Sequence, residues 1–323
     1  MKAVVQDTYG SPDVMELRDI DKPLIKEDEV LVRVRAAAVN PPDWASVTGV
    51  PYIARPSFGL RKPRNGVRGS DVAGTVEAAG KNVTRLQAGD EVFGAGTGTF
   101  AEYAVASEKN LVLKPASITV EQAAAVPMAG LTALQALRDQ GRVRPGQKVL
   151  INGAGGGIGT FAVQIAKSLG AEVTGVCSTT KVDLVRSIGA DHVIDYTRED
   201  FTQGDERYDF ILDNVLNHSL SHLRRALSPK GTLVPNGGQF YKRWIASTGV
   251  ILIKAPLLSL FVPQRIHPVR LSPNQDDLLA LKELLESGKV TPVIDRTYPL
   301  SQTPEAIGYF GEGHARGKVV IRV

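Results

Sequence analysis

A glycine turn between two apolar segments has the spacing of a phosphate-binding site. The apolar run 149–151 predicts a short buried strand, and the segment 161–167 predicts a helix. Strand, glycine turn and helix in that order present free backbone N–H groups and the positive end of a helix dipole to a pyrophosphate. A glycine-rich turn without a ligand is the weaker alternative. We therefore expect a dinucleotide to be held here by Gly153, Gly156, Gly157, Ile158 and Gly159.

The end of the next predicted strand, 172–176, indicates which dinucleotide is bound. A site for NAD usually carries an acidic residue there, which holds the ribose 2′-hydroxyl. This chain has Ser178, Thr179 and Lys181 instead, and Glu172 lies at the far end of the strand. Hydroxyls and a lysine suit a 2′-phosphate, although helix capping and a solvated lysine are the alternatives for each residue alone. The set favours NADPH.

The composition limits the class of protein. The chain has 323 residues, is 43% hydrophobic and 22% charged, and carries a net charge of +4, which predicts a globular chain of two domains. Its one cysteine, Cys177, excludes an internal disulfide and a cysteine-rich zinc site. The basic residues are spread along the chain without interleaved aromatics, so a nucleic-acid partner is not expected.

No targeting or membrane-spanning segment is expected from the pattern. The first residues alternate like a strand and do not resemble a signal peptide. The most apolar stretch, 248–262, is interrupted by Lys254 and Pro256 and is too short to span a bilayer. We therefore expect a cytoplasmic enzyme.

The order of the predicted elements gives the fold class. Residues 1–120 contain short strands and turns, and helices and strands alternate after residue 120. A last helix at 276–287 is followed by further β segments. This order predicts an α/β protein in which a β-rich domain, formed by both ends of the chain, accompanies a doubly wound parallel sheet. The strands of that sheet are predicted at 149–151, 172–176, 192–196, 208–213 and 232–234, with a further one near 259–262.

Several longer motifs resemble one enzyme family over essentially the whole chain. They are AVNPPDW (38–44), GSDVAG (69–74), AGDEVFG (88–94), GTFAEY (98–103), AAVPMAGLTA (124–133) and GADHVIDY (189–196). The chain resembles the zinc-independent medium-chain dehydrogenase/reductases of the quinone oxidoreductase type. The ending GHARGK (313–318) is similar to that of the chloroplast-envelope homologues.

The resemblance implies a domain organisation and further cofactor contacts. A GroES-like domain would comprise 1–122 and 266–323, a Rossmann domain 123–265, and the active site would lie in the cleft between them. For Asn40, a structural role in an Asx-Pro turn is as well supported by the sequence as a contact with the cofactor. The cofactor contacts implied by the family are Asn40, Thr132, Tyr196, Asn214, Phe261, Val262 and Lys318.

The same resemblance argues against a metal. Zinc-dependent relatives have a cysteine in place of Asn40, a histidine in place of Ser70 and a four-cysteine lobe that is missing between Phe93 and Tyr103. A catalytic zinc needs three converging protein ligands, and the five histidines are scattered. Without a Lewis acid to polarise the alcohol, alcohol oxidation loses its main source of catalysis.

The substrate side is less well defined by the sequence. Segment 52–69 contains five basic residues and no acidic one, which suits an acidic substrate or an anionic membrane surface. A solvated loop is the favoured interpretation of such a charge run. Tyr52 is a candidate donor to a substrate oxygen, with a packing role as the alternative, and Asn40 is the second candidate catalytic residue.

Together these features predict an NADPH-dependent reductase of activated C=C bonds in enones or alkenals, or of quinones. The substrate would be a small hydrophobic carbonyl compound or quinone. An alcohol or carbonyl oxidoreductase and a non-catalytic NADPH-binding protein are the alternatives. The apolar run 251–262 predicts an exposed edge strand, and hence a homodimer.

Overall fold

The computed structural model describes residues 1–52, 55–237 and 262–323, and these form two compact units. The terminal unit comprises Met1–Leu131, Ser272–Gly288 and Pro292–Val323, and the central unit comprises Thr132–Leu271 and Lys289–Thr291. The domain limits 1–122, 266–323 and 123–265 stay a prediction.

Both ends of the chain contribute to one sheet of the terminal unit. Its strand order is β14-β15-β3-β4-β5-β7, with β6 also paired to β3, and all pairs except β14–β15 are antiparallel. Strands β1 and β2 form a separate antiparallel pair. The strands are β1 Lys2–Gln6, β2 Met15–Asp19, β3 Glu29–Ala38, β4 Asp71–Ala79, β5 Glu91–Ala95, β6 Tyr103–Ser107, β7 Leu111–Leu113, β14 Ile294–Pro299 and β15 Lys318–Arg322.

Short helices connect or cover these strands. Helix α1 begins directly after β3, where two consecutive prolines fit the first helical turn, and it ends at Gly49 with φ of 67°. Because β15 pairs with the carboxyl end of β3, Lys318 starts its strand close to the start of α1. The helices described outside the central unit's sheet are α1 Pro41–Thr48, α2 Arg55–Phe58, α3 Val120–Ala124, α4 Pro127–Leu134, α8 Gln275–Glu286 and α9 Thr303–Gly311.

The central unit is a parallel sheet with the doubly wound strand order β10-β9-β8-β11-β12-β13. Apolar side chains of β8, β11 and β12 are fully buried between the helices, as expected for strands covered on both faces. The predicted α/β fold class is confirmed. The elements are β8 Lys148–Asn152, α5 Gly157–Ser168, β9 Glu172–Cys177, α6 Val182–Ser187, β10 His192–Asp195, β11 Tyr208–Asp213, α7 Leu220–Ala226, β12 Leu227–Pro235 and β13 Arg265–Ile266.

Some predicted elements differ from the observed ones in their limits. The helix predicted over 181–188 is preceded by a 3-10 turn at Thr179–Lys181 and begins at Val182. The helix-like segment 131–137 belongs to α4 and continues as a π-helix, Gln135–Gln140. Of the strand predicted near 259–262, residues 259–261 lie outside the described part. Among the described strands, β13 is the one that pairs with β12 on the side away from β11.

Candidate functional site

The glycine turn joins β8 to α5 and is shaped by contacts that exclude side chains. Gly153 has φ of 79°, a left-handed conformation that glycine adopts without strain. A Cβ on Gly159 would lie 2.1 Å from the carbonyl oxygen of Gly153, so the helix approaches the turn more closely than alanine permits. Gly156 is the N-cap residue of α5 and has no side chain to cover the helix N-terminus. Gly157 and Ile158 are the first two helical residues. The turn therefore fits a pyrophosphate on bare backbone N–H groups.

Lys181 lies against this turn. Its Cδ atom is 2.8 Å from the position of a Cβ on Gly155, so the lysine stem packs over the turn. Ser178 caps the 3-10 turn with its backbone only, since its side chain makes no capping hydrogen bond. Tyr196 follows β10 and is 56% exposed, and its N–H donates to the carbonyl of Cys177 at 3.0 Å. Ser178 and Lys181 thus follow the end of β9 and Tyr196 follows the end of β10. Their contact with a cofactor stays a prediction.

Sequence reasoning missed an acidic residue beside this group. Asp195 ends β10 directly opposite Cys177 in the parallel register, and Thr179 donates to it at 2.6 Å. Hydrogen bonds from the Thr179 hydroxyl, and from the hydroxyl and backbone N–H of Thr197, hold the pKa of Asp195 below its usual value. The Thr179 hydroxyl proton is therefore already used in a hydrogen bond within the protein. The local sequence carries no signal for this contact, because it depends on the register between β9 and β10.

A row of amides lies at the carboxyl ends of the central strands. Asn152 donates to Asp213 at 2.8 Å, and Asn214 donates to the carbonyl of Asn152 at 3.1 Å. Asn236 in turn donates to the Asn214 side chain at 2.7 Å. Asp213 is fully buried, which raises its pKa, and its Oδ1 also accepts from the backbone N–H groups of residues 215 and 216. Asn214, a predicted cofactor contact, is thus oriented from both sides at the edge where doubly wound sheets bind ligands.

A second polar cluster is buried in the terminal unit around Asn40. The Asn40 amide nitrogen donates to Asp71 Oδ2 at 2.9 Å and to the carbonyl of Ala38 at 3.2 Å. Its Oδ1 accepts from Lys318 Nζ, which also donates to the carbonyl of Val39 at 3.1 Å and lies 3.6 Å from Asp71. Because lysine only donates and a carboxylate only accepts, this set fixes which way the amide points. We name these residues, with Asp43, the Asn40 network.

The charges of the Asn40 network depend on one another. Asp43 accepts from the Asn40 backbone N–H at 2.8 Å, and its burial beside Asp71 raises its pKa to about 7. Burial also raises the pKa of Asp71, an effect that the Lys318 ammonium opposes. Burial lowers the pKa of Lys318, and the two carboxylates oppose that effect. The Lys318 ammonium thus acts on both buried carboxyl groups, and the Arg68 guanidinium also lowers the pKa of Asp43.

This geometry limits what Asn40 and Lys318 do chemically. Both amide hydrogens of Asn40 are used within the protein, so at most a lone pair on Oδ1 remains for a ligand. Asn40 is therefore suited to accept from a sugar hydroxyl and not to donate to a substrate oxygen. Lys318 is 3% exposed with its ammonium directed at protein acceptors, and so it supports Asn40. Asn40 is also the N-cap residue before the two prolines, as in the Asx-Pro interpretation.

The remaining predicted site residues are placed as follows. Tyr52 is 66% exposed, and the guanidinium of Arg55 lies 4.4 Å from the centre of its ring. Thr132 is buried within α4. Val262 is half-buried, and Phe261 lies outside the described residues. The roles of these residues stay predictions.

Within residues 1–52, 55–237 and 262–323, no group of three or more His, Cys, Asp or Glu side chains has the arrangement of a metal site. Zinc-dependent relatives are expected to hold the metal at the positions that correspond to Asn40 and its neighbours. In this chain, those positions belong to the Asn40 network, which contains an amide, an ammonium and carboxyl groups. Helices long and apolar enough to cross a membrane are also missing from this described part of the chain.

Comparison with known proteins agrees with this geometry. Residues 26–116 match the alcohol dehydrogenase GroES-like domain, and residues 188–321 match a family described as zinc-binding dehydrogenase. The chloroplastic NADPH-dependent alkenal/one oxidoreductase of Arabidopsis thaliana is 36% identical over 340 residues, covering 99% of this chain and 79% of that protein. The chain belongs to the quinone oxidoreductase family of medium-chain dehydrogenase/reductases. The predicted family is confirmed, and the chain is an oxidoreductase.

Two further comparisons support the family and the fold. The chloroplast envelope quinone oxidoreductase homolog of Arabidopsis thaliana is 31% identical over 335 residues, covering 99% of this chain and 98% of that protein. The solved structure of the quinone oxidoreductase from Coxiella burnetii has a TM-score of 0.87 and 29% identity, and the match covers 100% of this chain and 99% of that chain. The terminal unit accordingly contains the GroES-like domain and the central unit the Rossmann sheet.

Proposed function

We propose that this oxidoreductase reduces the C=C bond of enones and alkenals, or quinones, with NADPH. The observation that carries the proposal is the Asn40 network, in which amide hydrogens and ammonium are already bonded to protein acceptors. Reduction of an isolated carbonyl places negative charge on one oxygen, which needs a strong electrophile. Conjugate reduction spreads that charge over an enolate, which weaker donors stabilise. The name of the alkenal/one oxidoreductase relative agrees with this choice.

The central unit supplies the proposed cofactor site. The glycine turn would hold the pyrophosphate, and Ser178, Lys181 and Tyr196 the 2′-phosphate. Asn214 would lie near the cofactor ribose and Asn40 near the nicotinamide ribose. The other proposed contacts are Thr132, Val262, Phe261 and Lys318. Bound NADPH supplies a hydride. Tyr52 remains the proposed donor to the substrate oxygen.

A substrate panel tests this proposal. Purified protein is given NADPH with an enone, the matching saturated ketone and a quinone, and NADP⁺ with the matching saturated alcohol. We expect NADPH consumption with the enone or quinone and none with the saturated ketone. Turnover of the saturated pair alone would identify an alcohol dehydrogenase type of activity, and no turnover of any compound would favour a non-catalytic NADPH-binding protein.

We further propose a cytoplasmic homodimer that binds no nucleic acid and whose membrane contact, if any, is peripheral. The dimer hypothesis rests on the apolar run 251–262, of which only Val262 lies in the described residues. Light scattering at micromolar concentration should give twice the chain mass of 34.6 kDa. A measured mass of a single chain would reject the dimer.

A further inference from the structure

An acidic residue lies at the ribose end of the proposed cofactor site, on the strand next to β9. Asp195 is the last residue of β10 and pairs in parallel register with Cys177, the last residue of β9. Neighbouring strands lie about 4.8 Å apart. An acid at the end of the second strand binds the ribose 2′-hydroxyl in sites for NAD, and a carboxylate one strand away would attract the same hydroxyl and repel the 2′-phosphate of NADPH. A site that prefers NADPH must therefore keep this carboxylate from doing either.

Three hydrogen bonds and one ion pair engage the carboxylate of Asp195. Its Oδ2 accepts from the Thr179 hydroxyl at 2.6 Å and lies 3.5 Å from Arg198 Nε. Its Oδ1 accepts from the Thr197 hydroxyl at 2.8 Å and from the Thr197 backbone N–H at 3.0 Å. A carboxylate has about four lone-pair sites, so these groups match its full accepting capacity. A ribose hydroxyl could bind Asp195 only by displacing one of them.

The groups that bind Asp195 face solvent more than Asp195 itself does. Asp195 is 9% exposed, whereas Thr179 and Thr197 are exposed residues whose hydroxyl oxygens lie 3.0 Å apart. Thr197 belongs to the turn that directly follows β10 and binds through both its backbone and its side chain. Thr179 comes from the separate turn after β9 and binds Asp195 through its hydroxyl. The contact between the two turns at Oδ2 is therefore removed with that one hydroxyl.

The charge of Asp195 acts at the same place as that of Lys181. Hydrogen bonds, of which that from Thr179 is the strongest influence, hold the pKa of Asp195 below its usual value, so the group is ionised at neutral pH. Burial raises the pKa of the Cys177 thiol to about 11, the charge of Asp195 adds to this rise, and the charge of Lys181 opposes it. The cation proposed for the 2′-phosphate and the acid that would repel it thus lie at the same strand end.

We propose that Thr179 is a positioning residue for coenzyme specificity, whose hydroxyl holds the Asp195 carboxylate away from the ribose, so that the site binds NADPH in preference to NADH. This inference rests on the proposed function for the identity of the coenzyme, and on the hydrogen bonds of Asp195 for the role of Thr179. The alternative roles of Thr179 are a direct donor to the phosphate and a structural link between the two turns. Each role predicts a different effect of removing the hydroxyl.

Thr179→Val removes the hydroxyl and keeps the shape of the side chain. Asp195 Oδ2 is then open to the 2′-hydroxyl of NADH and close to the 2′-phosphate of NADPH. We expect NADH to bind more tightly, NADPH to bind more weakly, and the ratio of the two affinities to change about tenfold or more in favour of NADH. Fluorescence titration of the purified protein with each coenzyme measures both dissociation constants.

Two matched variants control this comparison. Thr179→Ser retains the hydroxyl and should keep the wild-type ratio of affinities. Thr291→Val makes the same change at an exposed residue of the same unit, whose backbone N–H and carbonyl pair with Gln164, and should also keep that ratio. Thermal unfolding of each variant shows whether its fold is retained. A lower Tm of Thr179→Val with an unchanged ratio is the result that the structural link alone predicts.

Asp195→Asn tests whether the acid is what Thr179 controls. Asparagine carries no negative charge, so Thr179→Val should change the ratio of affinities little when it is combined with Asp195→Asn. A phosphate that binds Thr179 directly would lose the same contact whether or not residue 195 is charged. The two single variants and the double variant form a cycle that isolates the interaction of the two residues.

The outcomes separate this inference from the proposed function. A ratio that changes in Thr179→Val, but not when Asp195→Asn is also present, supports the positioning role. A ratio that Thr179→Val leaves unchanged, or that changes equally with and without Asp195→Asn, would overturn it, and enone reduction with NADPH would still support the proposed function. If the ratio follows the expected pattern while no enone or quinone is reduced, the positioning role stands and the proposed function is contradicted.

Discussion

Lys318 contributes to the terminal unit as the one cation of the Asn40 network. Its ammonium is 3% exposed, lies 3.6 Å from Asp71 and donates to Asn40 and Val39. Removing one member of a buried ion pair leaves the other charge without compensation, which costs far more than the net value of the pair. The stability of this unit should therefore depend on Lys318 more than on any exposed cation of the same strand.

Lys318→Met should lower the free energy of unfolding by about 3–5 kcal/mol, because the buried Asp71 loses the cation that lies 3.6 Å from it. Arg322, on the same strand, pairs with Glu121 and is 65% exposed, so Arg322→Met should cost only about 0–1 kcal/mol. Denaturant unfolding of both variants measures the difference. Equal losses would mean that the Lys318 pair is as weak as a surface pair.

Asp43 should make stability depend on pH. Its pKa is about 7 in the folded chain against 3.8 ordinarily, so between pH 4 and 7 the folded state binds more protons than the unfolded state. Stability from this group is fully present at low pH and is lost as pH rises through that window. Asp43→Asn keeps an oxygen for the Asn40 N–H and should flatten the slope, as unfolding at a series of pH values would reveal. An unchanged slope would show that Asp43 is ionised throughout.

At the scale of elements, the cofactor site forms where parallel strands end side by side. The order of strand, glycine turn and helix was readable from the sequence, because each part has its own local pattern. The hydrogen bond from Thr179 to Asp195 was not readable from the sequence, since it depends on the register between β9 and β10. Asn40 and Lys318 were each named from family motifs, but their bond joins residues 278 apart in the chain. Long-range pairing of strands decides such contacts, and local patterns do not encode it.

The position of Lys181 over the glycine turn predicts a cofactor preference. NADPH should bind at least tenfold more tightly than NADH, since a charged hydrogen bond to the 2′-phosphate is worth about 1.5–3 kcal/mol. Lys181→Ala should weaken the binding of NADPH and leave that of NADH unchanged. Lys230→Ala, at an exposed position of β12 in the same unit, should change neither. Fluorescence titration with both cofactors measures this. Equal dissociation constants in the wild type would reject the preference.

The close contact between α5 and the turn makes a separate prediction for the glycines. A Cβ on Gly159 would lie 2.1 Å from a backbone oxygen, whereas one on Gly156 would lie at an ordinary 3.4 Å. Gly159→Ala should therefore lower Tm, since backbone must move, and Gly156→Ala should keep Tm near that of the wild type. Thermal unfolding without cofactor compares them. A stable Gly159→Ala variant would show that the junction tolerates a side chain.

At the scale of the whole molecule, the chain contains a Rossmann unit that fits NADPH and a GroES-like unit whose described residues include no recognisable metal-ligand set. The family description of residues 188–321 names zinc, whereas the motifs around Asn40 and Ser70 predict a chain that binds none. Elemental analysis should give well below one zinc per chain, and chelators should leave activity unchanged. Stoichiometric zinc would overturn the assignment of Asn40 and Asp71 as residues that bind no metal.

The central claim is that hydride goes to a carbon–carbon double bond. The most direct measurement uses NADPH with deuterium at the transferred position and an α,β-unsaturated ketone, followed by mass spectrometry and NMR of the product. We expect a saturated ketone with deuterium on the β-carbon, because conjugate reduction needs no strong electrophile at the oxygen. An allylic alcohol with deuterium on the former carbonyl carbon would contradict it.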